Sequence, residues 1–270
     1  MKLGVVGGGA MGEAVVAAVL RRKLLAPTDV TVADVVAERR EALRARYRVL
    51  AASTNGEAAA QADYLVIALK PQDFEKAAAG LIGRLPAAAT VVSIMAGVPI
   101  SRLSGALGHA AVVRAMPNTP AQVGEGMTVW TATEAVSEAA RADVGRIFDC
   151  LGRQAFVAEE RYLDMATAVS GSGPGYVFLF IEALIDAAVH IGLGRTLATE
   201  MVLQTVQGSA RYAQETGRHP ADLRNVVTSP GGTTAEGLKA LEAGGLRAAA
   251  IDAVVAAYEK SKALGEGPSR

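Results

Sequence analysis

One stretch near the start of the chain narrows the folds open to it more than any other. An apolar run, "KLGVV" (2–6), passes into "GGGAMG" and then into a helical pattern over 10–23. The glycines stand as Gly7-x-Gly9-x-x-Gly12. Glycine spacing alone is common; a strand before it and a helix behind it are what the dinucleotide-binding fingerprint requires. Gly7 allows the tight turn, Gly9 lets the backbone approach a pyrophosphate, and Gly12 lets the helix pack close to the strand. The helix N-terminus adds free N–H groups and positive dipole for phosphate. Asp34 follows the second apolar run, "VTVA" (30–33), about twenty residues beyond the glycines, where an acid bonds a ribose 2′-hydroxyl and favours NAD. The same Asp34 suits a cap on a helix over 36–46. Arg39 and Arg40 are near enough to keep NADP open.

Further apolar runs at 64–69, 90–95, 111–115, 127–132 and 154–158 alternate with helical patterns. That alternation predicts a parallel sheet flanked by helices. Most runs are near-continuously apolar, as strands covered on both faces are. Asn55 before "GEAAAQ" reads as a cap signal, and Pro99 opens "PISRLSGAL". After about residue 160 only helical patterns remain, roughly 161–168, 174–192, 196–216, 220–227, 234–243 and 246–264. The predicted fold is α/β: a Rossmann-type doubly wound sheet over residues 1–158, then an all-helical domain over 159–270. The second part is Ala-rich and poor in large side chains, so sharing a core with a second copy of the chain is the natural way to complete it.

Charge and composition exclude several classes. Lys+Arg and Asp+Glu both number 27, which argues against a nucleic-acid binder. Cys150 is the single cysteine, so no intrachain disulfide forms, and a reducing cytoplasm fits. The N-terminal residues lack a signal-peptide pattern. The apolar stretch 176–192 is interrupted by Glu182 and Asp186 and reads as too short and too charged to span a bilayer. His109, His190 and His219 are widely spaced, and no metal is expected. With few charged side chains at loop positions, the chemistry falls to positioning and hydrogen bonding, which suits a cofactor that carries the reactive group.

Four more stretches complete a set: "ALKPQ" (68–72), "RAMPNTPAQVGEGMT" (114–128), "VSGSGPGYVF" (169–178) and "HPADLRNVVTSPGGTTAEGLKALE" (219–242). Together with the glycine loop, and over nearly the whole chain, they resemble pyrroline-5-carboxylate reductase. The last stretch is the most specific. The resemblance implies reduction of the C=N bond of 1-pyrroline-5-carboxylate to L-proline with NADPH or NADH. It also implies a C-terminal domain that forms an interlocked homodimer, with dimers assembling further into a decameric ring. Val6, Gly7, Gly8, Gly9, Ala10 and Met11 would hold the pyrophosphate. Asn55, Ala68, Leu69, Lys70 and Pro71 would line the adenosine side. Ile94, Met95, Ala96 and the loop holding Asn118 would approach the nicotinamide. Relatives that use NADP often carry Ser, Thr or Arg where this chain has Asp34, which leans the cofactor toward NADH. Glu160 matches an acidic position near the substrate; a first-turn helix acid explains it equally well. Asn225 stands where relatives commonly have Asp.

The substrate's carboxylate needs clustered N–H donors. "SPGGTT" supplies them: Ser229 opens the turn, Gly231 and Gly232 clear the approach, and a helix start adds positive potential. Thr233 and Glu236 are spaced as a capping box, which predicts Thr233 as the N-cap. Thr234 is then free to bond the ring nitrogen and is the expected catalytic residue. Three other readings share parts of this pattern: a reductase of another cyclic imine acid, a non-catalytic dinucleotide-binding protein, and a β-hydroxyacid dehydrogenase. The last normally needs a lysine on the long interdomain helix, and "GPGYVFLFIEALIDAAVHIG" (173–192) has none.

Overall fold

The computed structural model describes residues 1–265, so the last five residues of the second predicted domain lie outside the described residues. Two compact units result: Met1–Ser172 together with the chain from Ala257 onward, and Gly173–Ala256. The first holds one eight-stranded sheet. Its strands are β1 (Leu3–Val6), β2 (Val30–Ala33), β3 (Leu50–Ala52), β4 (Tyr64–Ile67), β5 (Thr90–Ser93), β6 (Val112–Met116), β7 (Gly126–Ala132) and β8 (Gly152–Phe156). They lie in the order β3-β2-β1-β4-β5-β6-β7-β8. The chain leaves β1 toward β2 on one side and returns to β4 on the other, so a switch point forms between β1 and β4. Ligands of such sheets bind at the carboxyl ends of the strands there.

Helices cover both faces, which explains the apolar runs: β1, β4 and β5 are buried along their whole length. α1 (Ala10–Arg21), α2 (Ala37–Tyr47) and α6 (Glu138–Asp149) cover one face through Val15, Val19, Leu43 and Phe148. α4 (Phe74–Ala79) and α5 (Ile100–Leu107) cover the other through Phe74, Leu103 and Leu107. α3 (Asn55–Ala59) is short and begins one residue later than its cap. Thr54 is that cap, its hydroxyl accepting from the Glu57 N–H at 3.2 Å, and Asn55 is the first helical residue instead.

The expectation of a parallel sheet fails at β7, which runs antiparallel to β6. Residues 117–125 between them contain only a short 3-10 turn, Thr119–Val123. A parallel return needs a crossover of a dozen or more residues. β3 is a three-residue edge strand with Leu50 exposed, too short to show a pattern in sequence.

The first unit runs past residue 158. α7 (Tyr162–Ala166) packs on β6 and β7, and a π-helical turn, Thr167–Gly171, follows it. The division at Gly173 therefore falls later than the boundary read from composition, because α7 is tied into the sheet by ion pairs described below. The second unit contains α8 (Gly173–His190), α9 (Arg195–Thr216), α10 (Pro220–Val226), α11 (Thr233–Ala243) and the first half of α12 (Leu246–Gly265). α8 packs on α9, yet α8 buries none of its residues and leaves Phe178 and Leu179 61% and 67% exposed. The helical run Tyr162–His190 is long and apolar enough to cross a membrane by length and composition. This run is longer than the stretch 176–192 read from sequence, and length and composition alone are weak grounds for a membrane span.

Candidate active site

The glycine loop sits at the switch point. The Gly7 N–H donates to the Ala33 carbonyl and the Ala68 N–H to the Val6 carbonyl, both at 2.8 Å, pinning the ends of β1, β2 and β4 together. Gly7 has φ +99°, and a Cβ there would meet the Ala68 carbonyl oxygen at 2.5 Å. Only glycine meets both demands. A Cβ on Gly9 would meet nothing within 4 Å, so the chain opens there onto free space. Gly9 is the N-cap of α1 and supplies no side-chain cap, so the first N–H groups of the helix, those of Ala10 and Met11 among them, have no intrahelical acceptor. An open cradle at a helix N-terminus fits a pyrophosphate.

A cleft of about 490 Å³ adjoins the loop, lined by Gly7, Gly9, Asp34, Arg39, Asn55, Ala68, Leu69, Lys70 and Lys76, among others. The structure thus brings Gly7, Gly9, Asn55 and the Ala68–Lys70 stretch around one cavity, with Pro71 opening the turn that follows. Lys76 and Asp73 were missed, because nothing in their spacing sets them apart from a solvated helix face. Lys70 and Lys76 form no ion pair among the described residues. The cleft thus carries Arg39, Lys70 and Lys76 against Asp34 and Asp73, a positive balance suited to phosphate.

Asp34 is 8% exposed and already committed. Its Oδ2 accepts from the Gly8 N–H at 2.8 Å and from Arg39 at 3.1 Å; its Oδ1 accepts from the Val36 N–H at 2.9 Å. Arg40 donates to the Asp34 carbonyl oxygen at 2.6 Å. The carboxylate anchors the glycine loop and the start of α2, and Arg39 balances its charge.

Ile94 and Met95 continue β5 at the carboxyl end of the sheet with their side chains buried, so only their backbone and the half-buried Ala96 can meet a ligand. Asn118 is engaged at both amide atoms: Nδ2 donates to the Ser170 carbonyl at 3.0 Å, and Oδ1 accepts from the Met127 N–H at 2.9 Å. It braces its loop against the π-turn, and keeps its second N–H and one carbonyl lone pair for a ligand. Glu160, half-buried, accepts from Arg114 at 2.8 Å through Oε1. Arg114 was missed, although an arginine inside an apolar strand signals a buried ion pair.

In the second unit, Ser229-Pro230-Gly231-Gly232 is a type II turn. Gly231 has φ +68°, and the Gly232 N–H donates to the Ser229 carbonyl at 3.0 Å. Gly232, not Thr233, is the N-cap of α11, and no side chain caps the helix. The predicted capping box is absent because the extended Gly232 takes the cap position and moves Thr233 and Thr234 into the first turn. Neither threonine hydroxyl has a partner among the described residues. Thr233 is exposed and Thr234 half-buried. The first N–H groups of α11 are left to meet a ligand.

These features define a class: a two-unit oxidoreductase with a dinucleotide site on a Rossmann-type sheet. Residues 2–97 match the family model described as NADP oxidoreductase coenzyme F420-dependent, and residues 160–264 match pyrroline-5-carboxylate reductase dimerisation. A pyrroline-5-carboxylate reductase of Synechocystis sp. is 43% identical over 98% of this chain and 99% of its own length. That of Escherichia coli is 40% identical over 97% and 98%. The Plasmodium falciparum pyrroline carboxylate reductase, solved with NADP bound, superposes with a TM-score of 0.90 at 34% identity, covering 98% of each chain. The chain belongs to the pyrroline-5-carboxylate reductase family.

Proposed function

We propose that the chain reduces the C=N bond of 1-pyrroline-5-carboxylate to L-proline, the last step of proline biosynthesis, with a nicotinamide dinucleotide as reductant. The observation that carries this is the presence, in a chain aligned end to end with the family, of an open glycine cradle and a Ser-Pro-Gly-Gly turn feeding an uncapped helix start.

The pyrophosphate is held by the backbone of Val6 to Met11, and the adenosine side by Asn55 and Ala68 to Pro71. The backbone of Ile94 to Ala96 faces the nicotinamide. When bound, the dihydronicotinamide supplies the hydride. The Asp34 argument for NADH is weakened, since that carboxylate pairs with Arg39 and accepts from the Gly8 N–H, although Oδ1 keeps a lone pair. With Lys70 and Lys76 in the same cleft, the site accepts the 2′-phosphate of NADPH, and we read NADPH as the preferred cofactor. The substrate carboxylate docks on the N–H groups that open α11, with Ser229 beside it and Gly231 and Gly232 keeping the approach clear. Of the two threonines, the half-buried Thr234 donates to the ring nitrogen. That draws density from the C=N bond and readies C5 for hydride, while the nitrogen takes up the one proton the reduction needs from solvent. Glu160, in the first unit, is the acid that the resemblance puts near the substrate, and its Oε2 accepts no hydrogen bond among the described residues. Orientation of this kind lowers the barrier without a strong acid.

The exposed apolar face of α8 meets a second copy of the chain in a homodimer, not lipid; dimers assemble into a decamer, and the protein works in the cytoplasm. Support comes from the dimerisation match over residues 160–264 and from a second unit that lacks a core of its own.

The test is NADPH and NADH consumption with pyrroline-5-carboxylate and with its six-membered analogue, run on wild type and Thr234→Ala. Wild type should prefer the five-membered ring, and Thr234→Ala should lose at least tenfold in kcat/KM, about 1.4 kcal/mol, with NADPH affinity intact. Undiminished turnover in the variant would remove Thr234 from the reaction.

A further inference from the structure

Arg114 lies on β6 and is 4% exposed. A guanidinium there stands only if it is paired and fully hydrogen-bonded. Its two ends divide between two carboxylates, Glu160 Oε1 at 2.8 Å and Asp164 Oδ1 at 2.9 Å. Each carboxylate oxygen also holds a second donor. Glu160 Oε1 accepts from the Ile100 N–H at 2.8 Å, at the start of α5. Asp164 Oδ1 accepts from the Ser261 hydroxyl at 3.0 Å, in the last turns of α12.

Ser261 is the one buried residue of α12, at 2% exposed. The helix begins in the second unit and ends in the first. One turn further on, Leu264 reaches the backbone that follows β5. A Cβ on Gly97 would stand 2.8 Å from the Leu264 Cβ, and one on Gly265 would stand 3.0 Å from the Gly97 carbonyl oxygen. Gly97 has φ +73°, so the chain turns there in a conformation that favours glycine, directly under the helix end. The residues just before it are Ile94 to Ala96.

We propose that Ser261 is a positioning residue: through Asp164 and Arg114 it seats the last turn of α12 on Gly97 and so fixes the backbone of Ile94 to Gly97. This rests on the reading that Ile94 to Ala96 face the nicotinamide. The glycine loop and the adenosine cleft hold the cofactor wherever this turn sits. Loosening it therefore costs orientation of the reacting ring and little affinity. A change of that kind lowers the rate of the chemical step and leaves ground-state binding alone.

The experiment compares Ser261→Ala, Leu264→Ala and Ala96→Val with wild type, in single-turnover NADPH oxidation and NADPH titration. Ser261→Ala and Leu264→Ala should each slow the single-turnover rate by about threefold or more with the NADPH Kd within about twofold of wild type. Wild-type rates in both would overturn the proposal, as would a rate loss that merely tracks weakened NADPH binding. Ala96→Val separates the two claims. If it alters neither rate nor Kd, the placement of the nicotinamide beside this turn fails. If it is impaired while the other two are not, only the positioning role of Ser261 fails.

Discussion

Asp34 shows how the partners of a side chain, more than its place in a motif, decide its role. Its position after β2 is where an acid bonds a ribose. The fold gives both of its oxygens to the Gly8 and Val36 N–H groups and to Arg39. The position was legible in the sequence; the commitment was not, since it depends on Arg39 swinging back across the turn. Removing the carboxylate should therefore free the glycine loop instead of tuning the ribose contact. Asp34→Ala should weaken NADPH and NADH binding to a similar degree, by roughly the 1–3 kcal/mol of an unmade buried hydrogen bond to a charged group. Fluorescence titration with each cofactor checks this, and a loss confined to NADH would restore the ribose role. Arg114 carries the complementary lesson. Its charge in the run "AVVRA" was visible, but its partners lie 46 and 50 residues away and only the fold reveals them.

Among the elements, helices marked by proline or glycine were readable almost to their ends. α10 begins at Pro220, and α9 ends before Gly217, which has φ +62°. The errors came where the backbone overrode a side-chain signal. At α11 a type II turn places Gly232 at the cap and leaves the Thr233–Glu236 pair unused, so the N–H groups that a side-chain cap would have occupied remain open. At β7 the length of a link, not the apolar pattern, set the strand's direction. β4 and α6 are joined by a bond with a pH consequence. The Tyr64 hydroxyl donates to Asp143 Oδ2 at 2.8 Å. Burial first, then this bond and the charge of Asp143, raise the Tyr64 pKa well above its ordinary value near 10. A raised folded-state pKa favours the protonated form in the native protein. The stability it contributes is whole below pH 10 and is lost as pH rises above that. Tyr64→Phe should lower stability at pH 8 and show a shallower decline above pH 10, as urea unfolding across pH would report.

At the scale of the molecule, the Rossmann half was the more legible because its sheet buries residues that are contiguous in sequence. The helical half shows few buried residues in one chain, and its apolar faces make sense only against another surface. The sequence pointed to a second copy of the chain as that surface, whereas the apolar run 162–190 would suit a membrane by length and composition alone. A charge in that face separates the two. Leu179→Glu should shift the protein from dimer toward monomer in sedimentation velocity without detergent; an unchanged sedimentation coefficient would take Leu179 out of the interface. The claim on which the rest depends is that hydride passes from cofactor to C5 of the five-membered imine on this chain. The most direct measurement uses NADPH deuterated at both C4 positions with pyrroline-5-carboxylate and follows the product by mass spectrometry and NMR. The account predicts L-proline with one deuterium at C5 for each NADPH oxidised. NADPH that stays reduced, or proline without the label, would contradict it.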